Sequence, residues 1–212
     1  NFKTAFLASF VNTLGLTNSE SGGLPKVLPP EDILFYAYAV FHSPSYRIRY
    51  AESLKIDFPR LPLTRNWDLF RDLSHLGSNL VAFHLLESAS FDNPITELIG
   101  VRNPEVERIS YAHKTVWLDK SQTCGFQGVP EAVWNFRIGG YQVCEKWLKD
   151  RKGRTLSKED IDHYQKIVVA LNETIRIMKE IDEVIDQHGG WPGAFVTEPL
   201  EPAEPASTGE TG

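Results

Sequence analysis

Along residues 3–14 the apolar positions Phe6, Leu7, Phe10, Val11 and Leu14 recur at spacings of three and four, the stripe of an amphipathic helix. A stretch rich in Ser, Gly and Pro follows over 17–28 and reads as a loop. Pro29-Pro30-Glu31-Asp32 then carries the proline and the acids that favour a first helical turn. The nearly unbroken apolar run 33–41 predicts a helix buried on most sides, closed by His42-Ser43-Pro44. A short helix is expected over 45–54, and the prolines within 57–63 force extended backbone. Over 66–87 a strong stripe returns in Leu69, Leu73, Leu76, Leu80, Phe83 and Leu86.

From 91 to 136 the pattern changes. Short alternating runs at 108–111 and 114–118 predict strands, and 133–138 predicts one more, closed by Gly139-Gly140. Helical spacing resumes over 141–151. The clearest element is 157–187: Ser157 and Asp160 fit a capping box, and Ile161, Tyr164, Val168, Leu171, Ile175, Met178 and Ile185 repeat at helical spacing. Such a helix of roughly 30 residues would be about 45 Å long. The predicted fold class is α+β: an N-terminal helical lobe (1–88), a small irregular β region (89–140) and a helical segment with a long C-terminal helix (141–190). These form one domain, 1–190, and a disordered acidic tail (191–212) rich in Pro, Glu, Ala, Ser and Thr follows.

Charge changes this picture when it is divided along the chain. The net charge of −6 argues against a nucleic-acid partner. Four of those negative charges, however, are Glu198, Glu201, Glu204 and Glu210 in the tail, and the 157–187 helix is acidic too. By contrast Lys146, Lys149, Arg151, Lys152 and Arg154 are offset locally only by Glu145 and Asp150. Phosphate attraction depends on local potential, because screening acts within about 8–10 Å. Hydrophobic content of 42% suits a globular chain, and no apolar run approaches the ~20 residues of a membrane span. Neither a basic start nor a cleavage site marks a signal peptide, and a chain opening at Asn1 within a helical stripe reads as a piece of a longer polypeptide. The only cysteines, Cys124 and Cys144, form no metal-binding spacing and fit a reducing cytoplasm, so no metal site is expected.

Catalytic signatures are missing. An amino-methyltransferase needs a Pro-Pro-aromatic tetrapeptide opening with Asn, Asp or Ser, and Leu28-Pro29-Pro30-Glu31 supplies neither the polar opening nor the ring. Gly139-Gly140 is not followed by a phosphate-loop Gly-Lys, and no Gly-x-Ser-x-Gly elbow occurs. Asp160 and Asp162 sit at an exposed helix start, where acids serve as dipole partners. His75 and His84, nine apart, do not share a helix face.

Two long motifs remain. Phe41-His42-Ser43-Pro44-Ser45-Tyr46-Arg47, leading into Leu54-Lys55-Ile56-Asp57-Phe58-Pro59-Arg60-Leu61-Pro62-Leu63, resembles the opening of the specificity domain of Type ISP restriction-modification enzymes. Val133-Trp134-Asn135-Phe136-Arg137-Ile138-Gly139-Gly140-Tyr141-Gln142-Val143, continued through Glu145 to Arg154 and followed by a long helix, is similar to the same family. The resemblance spans about 31–185. It implies a DNA target-recognition domain with no catalytic centre of its own, positioning double-stranded DNA for an upstream adenine-N6 methyltransferase domain of the same polypeptide. S-adenosylmethionine, ATP and Mg would belong to that parent enzyme, and no cofactor to this chain. The other reading is a helical structural or protein-interaction domain, since the stripe of the long helix would look the same in both.

For the DNA reading, the candidate phosphate contacts are Lys146, Lys149, Arg151, Lys152 and Arg154 around Trp147, with Arg137 beside the Gly-Gly turn. A solvated helix with Trp147 in the core accounts for the first five equally well, and a structural turn for Arg137, Tyr141 and Gln142. Family members that read different sequences cannot discriminate bases through motifs they share. Base readout is therefore expected outside the motifs, at Arg102, Asn103, Arg108, His113, Lys114, Gln122 and Gln127. Arg and Lys suit guanine edges, and Asn and Gln suit adenine.

Overall fold

The computed structural model describes residues 4–16 and 28–196, so the loop expected at 17–27 and the tail beyond Val196 lie outside the described residues. The chain divides into two compact units, Asn1–Ser78 with Met178–Gly212, and Asn79–Ile177.

In the first unit, helix α1 (Thr4–Thr13), α2 (Pro30–His42) and α3 (Pro44–Arg49) precede α4 (Trp67–His84), whose later turns belong to the second unit. Helix α2 starts where the sequence places it, with Pro30 at its first position and Glu31 and Asp32 in its first turn. Asn66 caps α4, its Oδ1 accepting from the amides of Asp68 and Leu69. Phe10, Tyr36 and Phe70 pack ring to ring at 5.1–6.1 Å in a fully enclosed core. Gly77 permits the tightest helix contact: a Cβ there would lie 1.9 Å from the Phe35 carbonyl oxygen. The extended 57–63 stretch is held from below, since the hydroxyls of Tyr36 and Tyr46 donate to the carbonyls of Pro62 and Arg60, both at 2.8 Å. The short helix expected over 45–54 is split, with a 3₁₀ turn at Ser53–Lys55 after α3. Residues 191–196, assigned by composition to the tail, pack against this unit instead: Trp191 stacks on Phe195 at 4.2 Å, and the Val196 amide donates to Leu63. Their aromatic side chains supply apolar surface that the compositional reading passed over, and Phe195 is buried.

The second unit contains the β region. Strands β1 (Glu97–Ile99), β2 (Ser110–Ala112), β3 (Thr115–Trp117) and β4 (Gly125–Gln127) form an antiparallel sheet in the order β1-β4-β3-β2. The strand expected over 133–138 is corrected. Pro130 and Glu131 start a helical turn, α5 (Glu131–Trp134), that buries Val133, and only Arg137–Ile138 (β5) is extended. Likewise Tyr141–Gln142 is a strand, β6, paired with β5 across Gly139 and Gly140, so α6 begins at Val143 (Val143–Lys149). Both glycines have positive φ, +55° and +86°, as a two-residue hairpin loop of this hand requires.

Helix α7 (Lys158–Gln187) has the predicted length of 30 residues. Its capping box is formed reciprocally: the Asp160 amide donates to Ser157 Oγ and the Ser157 amide to Asp160 Oδ2, each at 3.2 Å. Ile161, Tyr164, Val168 and Leu171 enclose Val116, Leu118, Phe126 and Leu148 in the core of the second unit. No helix among the described residues is long and apolar enough to cross a membrane.

Candidate nucleic-acid interface

The six candidate phosphate-binding cations fall into two classes once their neighbours are placed. Helix α6 puts Lys146 and Lys149 four residues from Asp150 and Glu145, and both pair with them along the helix face. Arg151 is more deeply engaged. Its guanidinium carbon lies 3.5 Å from the centre of the Trp147 ring, its Nε donates to Asp160 Oδ1 at 3.1 Å and its Nη1 donates to the Trp147 carbonyl. Trp147 in turn stacks on His163 and meets Tyr164. The sequence alternatives at this segment are thus divided residue by residue: Trp147 and Arg151 tie α6 to α7, while Lys146 and Lys149 are exposed and internally paired.

Lys152 and Arg154 are exposed, and unlike those three they form no ion pair among the described residues. Between them Gly153, at φ +76°, turns the chain back toward 104–106. Its amide donates to the Val106 carbonyl, the Val106 amide donates to Arg154 and the Leu156 amide to Pro104, around an antiparallel bridge between Glu105 and Thr155. Arg137 is exposed on the β5–β6 hairpin and donates to the Gly140 carbonyl at 3.0 Å, bracing the turn. Beside it Ile138 and Tyr141 are 60% and 64% exposed, so the hairpin presents an apolar pair to solvent.

The seven candidate base readers are divided between the two ends of the sheet. His113 and Lys114 form the β2–β3 turn, both at positive φ, and Gln127 lies at the same end, opposite Thr115. Arg102 and Asn103 follow the other end of β1, Arg108 precedes β2, and Gln122 lies in the loop before β4. All seven are exposed. At this second end the loops are tied together: the amides of Glu107 and Arg108 both donate to the Leu118 carbonyl, and the Asp119 carboxylate accepts from the amides of Thr123 and Cys124 and from the Thr123 hydroxyl. Those hydrogen bonds, the Thr123 hydroxyl foremost, hold the Asp119 carboxyl below its usual range. Lys120 does the same for Glu107, at 2.9 Å.

Neither cysteine of this unit is an activated nucleophile. Burial pushes both thiols up, Cys144 to about 12, so neither is a thiolate near neutrality. Among the described residues no group of His, Cys, Asp and Glu is arranged to hold a metal ion.

The model of the Type ISP C-terminal specificity domain family matches residues 1–180. No curated protein matches the chain. Among solved structures, a DrdV–DNA complex is similar at 23% identity and a TM-score of 0.65, over 85% of this chain and 20% of that one. A nuclease-deletion mutant of the Type ISP restriction-modification enzyme LlaGI with a DNA substrate mimic is similar at 22% identity and a TM-score of 0.49, over 76% of this chain and 14% of that one. The ATP-dependent Type ISP enzyme LlaBIII bound to DNA gives 21%, 0.49, 76% and 11%. The likeness to DrdV is one of fold, and this chain spans about a fifth of that protein's length.

Proposed function

The chain belongs to the Type ISP C-terminal specificity domain family, and from that premise we propose that it recognises a DNA target sequence for a restriction-modification enzyme. In this reading it holds the duplex for an adenine-N6 methyltransferase domain elsewhere in the same polypeptide. S-adenosylmethionine, ATP and Mg serve that enzyme's other domains, and this chain contributes recognition without a reacting group of its own. Family membership over most of the chain carries the proposal.

The geometry supports it through surface cations without internal partners, Lys152 and Arg154 foremost. Arg137 on the exposed hairpin is a further phosphate contact, and Lys146 and Lys149 can exchange their helix-face carboxylates for phosphate. Arg151, stacked on Trp147, acts by keeping this segment in place. Phosphate contacts position the duplex, and exposed Arg, Asn and Gln side chains in the β region read base edges.

The test is a titration of the chain into labelled random-sequence duplex at low salt, followed by anisotropy as salt is raised. Each phosphate contact contributes about −0.9 to the slope of log K against log salt, so three to five contacts give roughly −3 to −4.5. Binding with such a slope supports the reading. Absence of binding at low salt overturns it, and a dimer on sizing would then favour a protein-interaction domain.

A further inference from the structure

Resting on the DNA-recognition reading, we infer that base readout is confined to one end of the four-stranded sheet, where Arg102, Asn103 and Arg108 stand beside the phosphate anchors Lys152 and Arg154. The opposite end, with His113, Lys114 and Gln127, is a structural turn.

Three observations carry this. The first is backbone pairing. The bridge between Glu105 and Thr155, with the amide bonds of Val106 and Leu156 across it, fixes the 102–108 loop against 153–156. Candidate readers and anchors lie more than 40 positions apart in sequence, yet they sit on two paired segments. A protein that reads bases must fix its register on the phosphates close to where it reads, and this juxtaposition supplies both kinds of contact from one rigid element.

The second is charge. Arg102, Arg108, Lys152 and Arg154 are exposed and form no ion pair among the described residues. Two of the carboxylates near them are already committed: Glu107 to Lys120, and Asp119 to the amides of its own loop. Glu105 and Asp119, the latter kept ionised by its hydrogen bonds, stand against four cations that form no ion pair among the described residues. At the other end Lys114 is the single cation among the three candidates, and Glu97 stands at the same end, in register with Gln127 and, across β4, with Thr115, the residue after Lys114. Local potential therefore favours a polyanion at the first end.

The third is the turn itself. His113 and Lys114 adopt positive φ, +51° and +58°, which costs side-chain-bearing residues conformational energy. The turn is accounted for within the fold: the amides of Gly128 and Val129 both donate to the Lys114 carbonyl at 2.9 Å, so the hairpin clamps the chain leaving β4. The readers at the first end carry suitable chemistry. A guanidinium donates two parallel N–H groups to guanine O6 and N7, and the Asn103 amide matches adenine N6 and N7.

The experiment uses the full chain in two formats. In random-duplex titrations, Lys152→Gln and Arg154→Gln each lower the salt slope by about one, whereas Lys114→Gln leaves slope and affinity within twofold of wild type. In selection of bound sequences from a random library, Arg102→Ala and Arg108→Ala flatten the base preference, and the paired change His113→Ala with Gln127→Ala does not. Circular dichroism and urea unfolding confirm that each variant is folded, as expected for exposed side chains without partners. If wild type binds and the preference instead collapses on changing His113 and Gln127, the inference is overturned while the recognition reading stands. If wild type binds no duplex, the recognition reading itself fails, and this inference fails with it.

Discussion

Replacing Arg151 by alanine separates folding from DNA contact, because this cation lies inside the basic run 146–154 yet faces inward. Its guanidinium sits 3.5 Å from the Trp147 ring centre, a cation–π contact worth about 1–2 kcal/mol when partly desolvated. Its ion pair with Asp160 joins side chains only 25% and 21% exposed, and adds roughly 1 kcal/mol. Together Arg151→Ala costs about 2–3 kcal/mol, on the order of 5–10 °C in melting temperature for a chain of this size. Arg151→Lys keeps the charge but loses the planar stacking fork, and it forfeits most of the same stability. Lys152→Ala, one residue along and exposed, stays within about 0.5 kcal/mol of wild type. The assay is urea unfolding followed by tryptophan fluorescence, with duplex binding measured on the same samples below the transition. The pH dependence has a definite sign. The hydrogen bond from Arg151 holds the Asp160 carboxyl below its ordinary value, so the stability it contributes is fully present above the unfolded carboxylate value near 4. It is lost as pH falls through the lower, folded value, and Arg151→Ala shrinks that loss. A variant lacking Arg151 that unfolds like wild type and has lost duplex binding would refute the reasoning and make Arg151 a direct phosphate contact.

Three further outcomes follow from packing and titration. Gly77→Ala gains helix propensity yet destabilises by about 1–3 kcal/mol in thermal unfolding, because its Cβ would press into the Phe35 carbonyl at 1.9 Å. Asp182→Ala removes an acceptor that binds the Ser43 hydroxyl and both the amide and hydroxyl of Ser45, stranding the fully buried Ser43; a loss of about 2–3 kcal/mol in urea unfolding is expected, and a silent change would show that the α3 start does not depend on it. Burial holds the His84 imidazole, bonded to Thr174, below its ordinary value near 6.5, so stability falls as pH drops from that value toward the folded one, and His84→Gln flattens this part of the profile.

What the sequence made legible was whatever depends on local spacing. The stripe and reciprocal cap of α7, the Pro-led start of α2 and the leucine stripe of α4 each require only residues within a few positions of one another. The strand misplaced at 133–138 shows the limit of that method: Val133-Trp134-Asn135-Phe136 alternates like a strand, yet Pro130 and Glu131 favour a helical turn, and burial of Val133 decides for it. Strand β1 carries a glutamate followed by two adjacent apolar residues and β4 opens on Gly125, so neither shows the alternation that revealed the equally short β2 and β3. The candidate residues were named from the sequence, but their grouping escaped it for a related reason. As a sequence, 146–154 is one basic run, but its cations differ by what lies across space: Asp160, nine residues on, takes Arg151, while the Glu105–Thr155 bridge carries Lys152 and Arg154 to Arg102 and Arg108. Sequence charge counts treat a neutralised cation and an available one alike. DNA affinity depends on the second kind, so the net charge of −6 and the local excess over 146–154 both misstate the surface offered to a phosphate backbone.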